Sequence, residues 1–169
     1  LESLRAGQLD MAVLYNPLPS PDLELSELHQ DSLALVSSAA ASEGLKTRVA
    51  LHDLAALPLI LPSRPNAFRL LIESEMARLD RKPSIVLEID GLNAILELVR
   101  EGLGHAVLPA YTLRGHSGGH PLTCRKIERP RLVSTLMLAR PARRAVTPTH
   151  EEAQAVLREV LQLSLAHQA

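Results

Sequence analysis

Between Pro58 and Pro109, short apolar runs alternate with amphipathic helix patterns, and this constrains the fold more than any other feature. Pro58-Leu59-Ile60-Leu61-Pro62 is an apolar run fenced by prolines and reads as a buried strand. Ala67–Leu79 places Phe68, Leu71, Ile72 and Leu79 on one helical stripe, with Asn66 positioned to cap the first turn. Ser84–Ile89 is a β-branched strand. Asp90 is expected to cap the next helix, whose inward face is Leu92, Ile95, Leu96 and Val99 and whose end is marked by Gly102. Ala106–Pro109 is a further strand. Strand–helix–strand repetition predicts an α/β fold with a mostly parallel sheet and helices on both faces.

The flanks extend this pattern. Leu1–Gly7 reads as the last turn of a helix and Leu9–Tyr15 as a buried strand. Leu23–Leu28 and Ser32–Ser37 read as two strands, and Val49–Leu57 as a short helix. Leu122–Ile127 and Val133–Ala139 are strands. Thr149-His150-Glu151-Glu152 has the form of a capping box opening a C-terminal helix, with Ala153, Val156, Leu157 and Val160 on one face.

Charge and composition exclude several functions. The net charge of −1 argues against a surface that holds nucleic acid by bulk charge. Tyr15, Phe68 and Tyr111 are the only aromatics, too few for a base-stacking platform. No run approaches the roughly 20 apolar residues of a membrane helix. Cys124 is the only cysteine, so no intrachain disulfide forms. Eight bases and one acid fall within residues 111–150; the simplest reading is a solvated face, with the bases alternating outward from strands such as Leu122–Ile127.

Catalytic signatures are absent: there is no nucleophile elbow, phosphate loop, zincin helix or paired-cysteine motif. Gly102-Leu103-Gly104 follows a helix, not a strand, so it is no dinucleotide fingerprint, and no cofactor is expected. His116, His120 and Cys124 are the only candidate metal set, spread over a Gly-rich loop and a strand, and no metal is expected there. Glu88 and Asp90 lie two apart at a strand end, where two carboxylates could be an acid and a base, although Asp90 has a ready structural task as a helix cap. A more general feature is positional. Ligands of open α/β sheets bind beyond the carboxyl ends of strands. Here two such ends run into helix N-termini, at Pro62–Asn66 and Asp90–Asn93, where unpaired N–H groups suit an anion.

Four segments in order then resemble one family. Leu4-x-x-Gly7-x-Leu9-Asp10-Met11-Ala12-Val13 comes first, followed by Leu23–Leu28 with Asp31–Val36. Next is Val49-x-Leu51-x-Asp53-Leu54-Ala55 with Pro58-Leu59-Ile60, and last Leu98-Val99-x-x-Gly102-x-Gly104-x-Ala106-Val107-Leu108-Pro109. Together they resemble the effector-binding domain of LysR-type transcriptional regulators. The resemblance implies two Rossmann-like lobes joined by two crossing strands, as in type 2 periplasmic binding proteins. Lobe I would comprise residues 1–33 plus 135–169, without its first strand and most of its first helix, and lobe II residues 34–134. The winged helix-turn-helix DNA-binding domain would precede Leu1 and be absent from this chain. By position, the implied effector-binding residues are Tyr15, Asn16, Pro62, Ser63, Arg64, Asn66, Asp90, Gly91 and Asn93.

The expected function is therefore a cytoplasmic regulator's sensor domain, not an enzyme. It would bind a small anionic metabolite in the inter-lobe cleft and modulate a DNA-bound homodimer or homotetramer. An extracytoplasmic solute-binding protein of the same fold is the first rival, and a two-lobed α/β enzyme using Glu88, Asp90 or a histidine is the second.

Overall fold

A computed structural model describes residues 2–43, 46–113 and 119–166. The chain forms two compact units, one of Leu1–Gln30 with Thr135–Ala169 and the other of Asp31–Ser134.

In the first unit a short helix α1 (Glu2–Arg5) leads into strand β1 (Ala12–Tyr15), which pairs antiparallel with β8 (Val133–Pro141), Ala12 facing Ala139. Leu4, Leu23 and Ala139 form its small core. Helix α5 (Pro148–Ala166) closes the chain. Thr147, not Thr149, holds the N-cap position: its Oγ1 accepts from His150 N at 3.4 Å, while Thr147 N donates to His150 Nδ1 at 3.3 Å. A histidine thus plays the part that Glu plays in a capping box. The expected apolar face of α5 is docked only at Leu157, which is half-buried. Val156 and Val160 are each 53% exposed, whereas Arg158 reaches Ser26 Oγ and the Glu27 carbonyl, so polar contacts orient the helix.

The second unit is larger. Strand β2 (Leu23–Ser38) enters it as a single 16-residue strand, not two. The polar Gln30-Asp31 interruption lies where the strand is exposed, so it breaks the apolar pattern without breaking the backbone. From Leu33 to Ser38 every residue is buried, because β2 is paired antiparallel on both sides, with β6 (Ala106–Pro109) and β7 (Leu122–Glu128). Helix α2 (Ala39–Ser42) follows, then β3 (Arg48–Ala50) parallel to β7, then a 3-10 helix over Leu51–Ala56. Strand β4 (Pro58–Leu61), helix α3 (Ala67–Ala77), strand β5 (Ser84–Glu88) and helix α4 (Leu92–Arg100) complete it, with β4 and β5 parallel. Within Pro58–Pro109 the expected parallel pairing holds, β4 beside β5 and Leu59 bridged in parallel to His105, while β2 adds antiparallel pairings with β6 and β7, so the unit as a whole is mixed.

Two clusters fill this unit. One gathers Leu33, Leu35, Leu51, Leu54, Leu59, Ile72 and Met76, and the other Val36, Ile60, Ile95, Leu96 and Val99. Gly104 is required where the chain re-enters: a Cβ there would stand 2.8 Å from the Pro58 carbonyl. His105 then fixes the first residues of β4, its N–H donating to Pro58 O and its carbonyl accepting from Ile60 N, both at 2.8 Å. Its ring is buried, with Nδ1 2.7 Å from the equally buried Ser37 Oγ. Burial, then the nearby Arg125 cation, lowers the His105 pKa and favours the neutral ring.

The basic stretch does not behave as one solvated face. Arg125 shares strand parity with Ile127, pairs in register with Leu35 and is only 8% exposed. Alternation along β7 sends Lys126 outward and Arg125 inward.

Candidate functional site

Strands β4 and β5 finish side by side, with Leu61 opposite Glu88. The segments that follow them carry most of the residues singled out from the sequence. One hydrogen bond ties them together: Ser63 N donates to Asp90 Oδ1 at 3.0 Å. Asp90 therefore does not cap α4, as its position predicted. The N-cap is Gly91 at φ 97, a backbone state that strains any side chain, and no side chain caps the helix. A helix start of this kind presents N–H groups and a partial positive charge, offset in part by the adjacent Asp90.

The other helix start is already occupied. Asn66 Oδ1 accepts from Phe68 N at 2.9 Å and Arg69 N at 3.3 Å, a cap worth about 1 kcal/mol. Of the two N-termini expected to receive an anion, α4 is the one without a side-chain cap. Arg64 is a rim residue, 63% exposed, whose Nη2 donates to Glu73 Oε2 at 2.7 Å. Pro62 contributes its carbonyl to Arg69. Asn93 lies exposed in the first turn of α4.

Tyr15 and Asn16 belong to the first unit and are half-buried. Tyr15 ends β1 opposite Leu136. Asn16, at φ 47, closes a two-bond ring with Thr135: its N–H donates to Thr135 O at 2.9 Å and its Oδ1 accepts from Thr135 N at 2.8 Å. That is a structural task in itself.

Arg69 organises the end of β4 and β5, and sequence reasoning passed over it. It is buried, and its guanidinium donates to Glu73 Oε1 at 3.0 Å, Pro62 O at 3.1 Å and Glu88 Oε1 at 2.8 Å. The bonds to Glu88 and Glu73 raise its pKa further above the usual arginine value. Partial burial works against ionisation of Glu73, but the bonds from Arg69 and Arg64 outweigh it and hold that carboxyl low. Arg69 likewise lowers the Glu88 pKa. A signal existed: Arg69 sits three residues before Ile72 and seven before Met76, on the buried stripe of α3.

Glu88 and Asp90, the carboxylates of the enzyme rival, are each engaged by another group. Glu88 bonds Arg69 and Asp90 bonds Ser63 N, and a carboxylate held ionised by arginine is a poor proton donor. His116 lies outside the described residues. His120 and Cys124 are exposed, and among the described residues no three metal-ligating side chains form a group.

Comparison with known proteins gives these geometries a setting. The model of the LysR substrate binding domain matches residues 1–162. The chain is 32% identical over 108 residues to the HTH-type transcriptional regulator BbuR of Bordetella bronchiseptica, covering 64% of this chain and 33% of that protein. It spans about half the length of other curated regulators it matches. The regulatory domain of Synechocystis PCC6803 CcmR in complex with 2-PG superposes with a TM-score of 0.81 at 18% identity, covering 94% of this chain and 76% of that one. The effector binding domain of QuiR in complex with shikimate superposes with a TM-score of 0.75 at 22% identity, covering 89% and 70%. These likenesses establish the fold, and the curated relatives are transcriptional regulators, not enzymes.

Proposed function

We propose a function from one premise: the chain belongs to the LysR substrate binding domain family. It is the ligand-sensing part of a LysR-type transcriptional regulator and takes a small anionic metabolite at the ends of β4 and β5. The observation that carries this reading is the start of α4, where Gly91 supplies no side-chain cap and Asp90 is drawn away to Ser63 N. A carboxylate placed there gains from the helix terminus by up to about 1 kcal/mol at an exposed site. Asn93 lies exposed in the first turn of that helix, Ser63 is brought alongside by its bond to Asp90, and Asn66 is carried in the proposal on the family resemblance. Arg69 keeps the two segments in place without touching ligand. Tyr15 and Asn16 are carried in the proposal on the family resemblance.

Two solved relatives of the same fold hold small molecules, 2-PG in CcmR and shikimate in QuiR, which supports a small effector for this chain too. In the full regulator, we infer, effector binding biases a cytoplasmic homo-oligomer that contacts DNA through a separate domain.

Calorimetric titration of the chain with a panel of small organic acids tests the reading. Saturable binding of at least one acid, weakened by Asn93→Ala, is the expected result. Binding of neutral analogues in preference to every acid, or an affinity indifferent to Asn93→Ala, overturns the anionic site.

A further inference from the structure

The cations around residue 125 collect about a groove of the second unit, beyond the first residue of β4 and so at the opposite end of that strand from Ser63. The groove encloses about 730 Å³, within the range of metabolite pockets. Lys46, Arg48, Arg125 and Arg129 line it against Asp53 and Glu128, four cations to two carboxylates. Arg48 and Glu128 pair with each other at 3.2 Å, and Asp53 stands 3.1 Å from His52 Nε2.

Arg125 is the unusual member. It is 8% exposed, its Nε is shielded from water without a hydrogen-bond partner, and among the described residues no carboxylate pairs with it. Its charge acts on His105 and opposes protonation of that ring. A guanidinium Nε–H shielded from water with no acceptor costs the fold stability. Loss of hydration also lowers the Arg125 pKa. An oxyanion in the groove supplies the missing acceptor, and the guanidinium fork suits carboxylate or phosphate by parallel hydrogen bonds. Lys46 and Arg129 stand at the rim, where cations draw anions in.

We propose that this groove is a second ligand site, which takes the carboxylate or phosphate group of a small metabolite on Arg125. It is separate from the reading at α4 and stands without it.

Amide NMR titration of the whole chain separates the two sites by residue. The probes are inorganic phosphate and, in a parallel arm, succinate, with ionic strength balanced by chloride. The expected result is saturable movement of the Ala50, Asp53, Leu57 and Glu128 amides in one arm or both. Movement with phosphate alone marks a phosphate ligand, with succinate alone a carboxylate, and with both a general oxyanion site. Arg125→Met removes the response, and Lys46→Ala with Arg129→Ala weakens it by about threefold or more, the scale of exposed charge contacts. The proposal is overturned if neither probe moves these amides, if chloride moves them equally, or if folded Arg125→Met responds like the parent. Should Arg125→Met not fold, the Lys46→Ala/Arg129→Ala double variant decides, and an undiminished affinity in it overturns the site.

Discussion

Two arginines of the second unit are withdrawn from water to a similar degree and have opposite surroundings. Arg69 is 5% exposed and holds two carboxylates and a carbonyl; Arg125 is 8% exposed and holds no carboxylate among the described residues. The first is completed by the protein and serves as structure, joining β4, β5 and α3. The second is left incomplete. Burial alone therefore does not tell a structural cation from a binding one; the inventory of acceptors around it does.

The largest expected difference between the two is in stability. Arg69→Met takes the Arg69 donor from Glu73, Glu88 and the Pro62 carbonyl, leaving Glu73 with Arg64 alone, and is expected to cost about 2 kcal/mol, below the full loss of a buried pair because both carboxylates keep some contact with water. Arg125→Met removes an unpaired buried charge and is expected to leave stability unchanged or to raise it by about 1 kcal/mol. Urea unfolding of both variants measures the contrast, and equal losses would break it.

The pH dependence divides in the same way. Glu73 and Glu88 are held below their ordinary value, so their contribution is present above about pH 4.5 and is lost as pH falls through their lower folded values. In Arg69→Met that part of the acid loss should shrink. His105 beside Arg125 also has a lowered pKa: the unfolded chain takes up a proton near pH 6.5 and the folded ring resists it, so stability falls as pH drops below that value. Unfolding midpoints between pH 7 and 5 in His105→Gln should lose this slope, and a slope unchanged by the substitution would remove His105 from the account.

The smallest effect concerns the proposed effector site. Asp90→Asn keeps an oxygen for Ser63 N but deletes the charge beside the α4 terminus. Organic-acid affinity should rise by about two- to fivefold, the scale of one helix-terminus charge. A fall in affinity by calorimetry would mean that Asp90 serves the ligand directly.

Much of the second unit was legible from periodicity. The α4 face of Ile95, Leu96 and Val99 and the β4 run are buried as their spacing predicts, because there the apolar pattern and the packing coincide. The family, too, was legible, from short segments kept in order. What sequence did not show were partnerships set by tertiary geometry. Nothing local tells Asp90 to prefer Ser63 N, 27 residues away, over the helix it precedes. The split of β2 into two expected strands failed for a related reason: polar residues in its exposed middle look like a turn when the pairing that keeps them extended is out of view. In α5 the spacing puts Ala153, Val156, Leu157 and Val160 on one face, yet only Leu157 is half-buried, and Arg158 bonds β2 atoms more than 100 residues away.

The Ser63–Asp90 hydrogen bond has a consequence for any anion that arrives at α4. It holds a carboxylate of the chain's own beside the helix start. Every anion that arrives there meets the same opposing charge. Bulk anions, held by little else, gain least. A molecule whose other groups outweigh the repulsion gains most, so selectivity comes from a charge built into the chain.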